Sequence, residues 1–60
     1  MAAVDLFERS LRDLSDPGRQ ALSLLITRTR EDIFAARSED ERERIVMEFL
    51  RDAMVNETRR

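Results

Sequence analysis

Pro17 and Gly18 stand side by side, and they are the only proline and the only glycine in the sequence. They punctuate the chain once and leave long unbroken stretches on either side. Before them, Val4, Phe7, Leu11 and Leu14 recur at i, i+3, i+7 and i+10, which is a narrow helical stripe. Asp5 and Glu8 sit in its first turns, where the helix dipole favours anions. Proline is tolerated at the first helical position because its missing N–H would be unsatisfied there anyway. That makes Asp16 the expected N-cap of the next helix. The pattern predicts a first helix over about residues 3–14 and a second opening at Pro17.

The second helix passes through SLLITRTREDIF, residues 23–34. Its first half is apolar almost all round; its second half opens with six polar or charged residues. The alternation Ile26-Thr27-Arg28-Thr29-Arg30 has the period of a strand. No second strand exists to pair with it. Leu22, Ile26, Thr29, Ile33 and Ala36 instead keep one helical face through the polar run, so the helix is expected to reach about residue 36. Ser38-Glu39-Asp40-Glu41 then reads as a capping box, with a serine cap and a glutamate three residues on. A third helix follows to about residue 56, carrying Ile45, Val46, Phe49, Leu50, Ala53 and Met54 over roughly half its circumference.

These helices have little to hold them together. The chain is 60 residues long and has no cysteine and no histidine, which removes disulfides and the common zinc sites. Below about 70–80 residues a single core rarely supplies more than about 3–5 kcal/mol, and small proteins usually add a staple. Self-association or a partner chain is the remaining route. The apolar pattern points the same way. Leu22, Leu25 and Ile26 share a face, while Leu24 points about 200° from Leu22. Met47 and Met54 lie at the margins of the third helix's wide face, and methionine suits adaptable surfaces. The expected fold class is therefore all-α: a short N-terminal helix plus an antiparallel helical hairpin that turns around Arg37-Ser38. Two hairpins would pack as a four-helix dimer, with the first helix clasping the outside. Leu22, Leu24, Leu25, Ile26, Met47 and Met54 are the expected interface.

Composition narrows the function. Charged residues make up 40% of the chain, the net charge is -2, and all 11 basic residues are arginine. Acid and base are interspersed, as on solvated helix faces. Cys, His, Lys and Tyr are all absent, so most nucleophiles and general bases are missing and no enzyme is expected. Ser15 and Ser38 are accounted for by turn and cap chemistry. Glu31-Asp32 and Glu39-Asp40-Glu41 lack the spacing and glycine of a calcium loop, so no metal or other cofactor is expected. MAAVDLFERS has no basic segment followed by an apolar one, as a signal peptide would. ALSLLIT is far short of the roughly 20 apolar residues that span a bilayer. An intracellular, cytoplasmic protein without membrane contact is the expectation.

LSDPGRQALSLL resembles the opening helix of LuxR-type or sigma-factor region 4 helix-turn-helix domains, through Leu14, Ser15, Arg19, Ala21, Leu22 and Leu24. That resemblance implies DNA binding, but it covers only about a dozen residues of motif. The stretch from Thr27 to Ala36 lacks the short turn such a motif needs. The next helix opens EDERER, whose acids would face phosphate. Arginine offers another nucleic-acid reading through Arg28, Arg30, Arg37, Arg42 and Arg44, and a helical-hairpin dimer of the Rop kind is similar in size. Against it, neighbouring acids dilute these arginines. With no Trp or Tyr, base stacking would fall to three phenylalanines that the core is expected to need. The function expected first is a self-associating protein–protein interaction module, a regulator or adaptor. A small obligate subunit folding on a larger protein, or an RNA- or DNA-binding regulator, are the alternatives.

Overall fold

Phe7 and Phe49 meet at the centre of the chain, with ring centroids 5.1 Å apart and planes inclined at 73°. The elements around this pair are all helical in the computed structural model, which describes residues 2–58. Four helices follow one another: α1 (Ala3–Asp13), α2 (Asp16–Ala21), α3 (Ser23–Ala35) and α4 (Glu39–Thr58). α4 packs against both α3 and α1. A connection of residues 36–38 folds α4 back along α3, as a short helix–helix loop requires. Ala3 meets Glu39 and Phe7 meets Phe49, so α1 advances along α4 in the same sense.

The core is formed by Ala3, Phe7, Leu22, Ile26, Ile33, Val46 and Phe49. Most lie on the stripe that helical periodicity assigns to them; on α1 the inward face is shifted, with Ala3 buried and Val4 exposed. The edge-to-face geometry of the two rings adds about 0.5–1.5 kcal/mol beyond the area they bury. Thr29 is buried on the same side of α3 as Ile26 and Ile33. The face that carries through the polar half of SLLITRTREDIF is thus the face turned inward. Phe7 and Ala3 are among the most buried residues, which makes α1 a full layer of the bundle.

Two expectations about the second helix are corrected. The N-cap is Ser15 rather than Asp16: the Ser15 hydroxyl accepts the Gly18 N–H at 3.2 Å, and Asp16 and Pro17 occupy the first helical turn. Proline remains tolerable there because the first four N–H groups of a helix lack intrahelical acceptors. The helix also does not run unbroken to Ala36. It pivots at Leu22, whose φ of -101° and ψ of 10° lie outside the helical basin. Hydrogen bonding survives on either side, since Leu22 N–H donates to Gly18 at 3.0 Å and Ile26 N–H to Leu22 at 2.7 Å. Leu22 itself stays in the core.

The helix ends are tied across the fold. α1 has no side-chain cap of its own. Its Ala3 N–H donates instead to the Glu39 Oε1 at 2.9 Å, from the first residue of α4. At the other end of α1, the Leu11 carbonyl accepts from Arg19 Nη2 at 2.8 Å and from Leu14 N–H at 3.3 Å. At the start of α4, Ser38 Oγ accepts the Glu41 N–H at 3.2 Å. Glu41 reaches back to the N–H of Arg37 at 2.9 Å, one residue earlier than in the usual reciprocal box.

Candidate association surface

Phe34 is the residue the core does not use. It follows the buried Ile33, so helical geometry turns it about 100° away onto the flank of α3. It is 93% exposed. The three phenylalanines therefore divide, two in the core and one in solvent, which corrects the expectation that the core needs all of them. Leu24, on the side of α3 opposite Ile26, is 71% exposed. On α4, Met47 and Met54 are 59% and 70% exposed. Met47, Leu50 and Met54 follow one another at i, i+3 and i+7, so they form a single stripe along one flank of α4. Leu50, in the middle of the stripe, is half-buried against the core.

The stripe adjoins α1. Met47 and Glu43 face Ala3 and Leu6 across a hollow of about 200 Å³. A second hollow, of about 470 Å³, runs beside Phe34 and is lined also by Thr27, Arg30 and Glu31. Of the six expected interface residues, Leu22 and Ile26 lie in the core of the chain itself and Leu25 packs against that core. Leu24, Met47 and Met54 are presented outward. The sequence expectation places Phe34 with the core, yet it lies in solvent. The signal was present, since Phe34 falls off the stripe that contains Ile33 and Thr29.

Of the arginines named for nucleic acid, Arg28 and Arg30 lie on α3, Arg37 in the connection and Arg42 and Arg44 on α4, and two are already engaged. Arg42 Nε lies 3.6 Å from Glu39, and its Nη1 donates to the Ala36 carbonyl at 3.4 Å. Arg30 lies 3.9 Å from Glu8, with its guanidinium carbon 6.0 Å from the Phe7 ring centroid. Arg28, Arg37 and Arg44 are exposed. Among the described residues no group of three acidic side chains is placed to hold a metal ion. Among them also, no helix is long and apolar enough to cross a membrane. No protein-family model, curated protein or solved structure matches the chain.

Proposed function

We propose that the protein is a small helical protein–protein interaction module that self-associates, serving as a regulator or adaptor without catalysis of its own. The observation that carries this reading is the 93% exposure of Phe34 in a chain that has so few large apolar residues to spend. Single exposed apolar residues are ordinary on protein surfaces. A fully exposed phenylalanine is less so, because burying an aromatic side chain stabilises by about 1.5–3 kcal/mol. Leu24 and the Met47–Met54 stripe extend the apolar surface beyond that one ring. A second copy of the chain covers such surface without any further component, and a dimer is the commonest closed arrangement.

A dilution series followed by amide nuclear magnetic resonance tests the reading. On association, the signals of Leu24, Phe34, Met47 and their neighbours shift with protein concentration, while those of the Phe7–Phe49 core stay fixed. The shifts persist when salt is raised, since apolar burial does not depend on counterion release. Concentration-independent spectra would remove self-association. Shifts confined to Arg28, Arg37 and Arg44 on adding RNA, and lost with salt, would favour the nucleic-acid reading instead.

A further inference from the structure

We propose that the groove between α1, α2 and α3 binds a small oligophosphate. The groove has a volume of about 450 Å³ and is open to solvent. Arg12 comes to it from α1, Arg19 from α2 and Arg30 from α3. Three arginines from three elements thus line one groove, in a chain whose net charge is -2. Their fork geometry suits phosphate oxygens.

Two of the three are held in position. Arg19 is fixed by its bond to the Leu11 carbonyl at 2.8 Å, and Leu11 lines the groove. Arg30 stands over the Phe7 ring at 6.0 Å. Arg12 has no hydrogen-bond or ion-pair partner among the described residues, so its donors are available to a ligand. One carboxylate, Glu8, faces the same groove. It lies 3.9 Å from Arg30, and both side chains are more than half exposed. Pairs of that kind are weak and solvent-screened, so a multiply charged phosphate outcompetes Glu8 for Arg30. Ser23 and Thr27 line the α3 wall. The Thr27 hydroxyl donates to the Ser23 carbonyl at 3.1 Å along that wall. Leu11 and Ile26 supply apolar lining. This inference does not rest on self-association.

Isothermal titration with sodium tripolyphosphate tests it on the full chain, with amide resonances of Ser23 and Thr27 followed in parallel. The expected result is saturable binding, one ligand per chain, with both resonances shifting. Arg12→Gln weakens it by about tenfold or more, the size of one lost charge-assisted bond, while circular dichroism is unchanged. Arg51→Gln, on α4 and outside the groove, leaves the affinity within about twofold. Absence of saturable binding, unmoved Ser23 and Thr27 resonances, or an equal loss on Arg51→Gln would each overturn the proposal. A single-stranded oligonucleotide that binds the groove more tightly than tripolyphosphate, with a steeper salt dependence, would overturn it in favour of a nucleic-acid site. Should Arg12→Gln disturb folding, the wild-type resonances still decide.

Discussion

Glu39 and Glu41 stand two positions apart in one acidic run, yet they serve different helices. Glu41 closes the start of its own helix by reaching the Arg37 N–H. Glu39 caps α1, thirty-six positions earlier, through the Ala3 N–H. A carboxylate on a helix N-terminal amide gains both the hydrogen bond and the dipole interaction. Glu39→Ala is expected to destabilise the protein by about 1 kcal/mol more than Asp40→Ala. Asp40 shares the dipole term but not the bond to Ala3. Equal urea midpoints for the two variants would show that the Ala3 contact contributes nothing. Ser38→Ala removes the oxygen that accepts the Glu41 N–H and is expected to cost about 0.5–2 kcal/mol. The same urea titration reports it, as a lower midpoint with an unchanged slope.

Among the elements, α4 is the one that packs against both α1 and α3, and Phe49 is its central core residue. The side chain is buried against Phe7, so Phe49→Ala leaves a cavity and an unpartnered ring. The expected cost is about 3–5 kcal/mol, comparable to the whole stability of a core this small. Loss of helical circular dichroism at room temperature is the outcome to look for; a cooperative, near-wild-type melting curve would place the core elsewhere. The helical faces were legible before the fold was known, because burial follows period 3.6 wherever apolar and β-branched residues keep it. Leu22, Ile26, Thr29 and Ile33 are the clearest case. The pivot at Leu22 was not legible. No proline or glycine marks it, and the local sequence favours an unbroken helix. The choice of Ser15 over Asp16 as cap was hidden for a related reason. Both residue types cap well, and the decision lies in which one reaches the Gly18 amide.

The molecule as a whole keeps two kinds of surface outside its core. One is the apolar set of Phe34 and Leu24 on α3 with the methionine stripe on α4; the other is the arginine groove behind α1. That Arg12, Arg19 and Arg30 line one groove was illegible in the sequence, since it depends on how α1, α2 and α3 meet. The outward methionines were legible from their place at the margin of the α4 face. Met47→Glu and Met54→Glu leave the core untouched and are expected to shift stability by no more than about 0.5 kcal/mol. They should weaken association by desolvating a charge in the complex, and light scattering on folded samples checks this. Sedimentation equilibrium of the wild-type chain across the micromolar range bears most directly on the account's central claim. A mass that rises from monomer toward dimer with concentration, and falls back to monomer in Phe34→Asp with helicity intact, is the predicted result. A folded wild-type monomer at every concentration would contradict it.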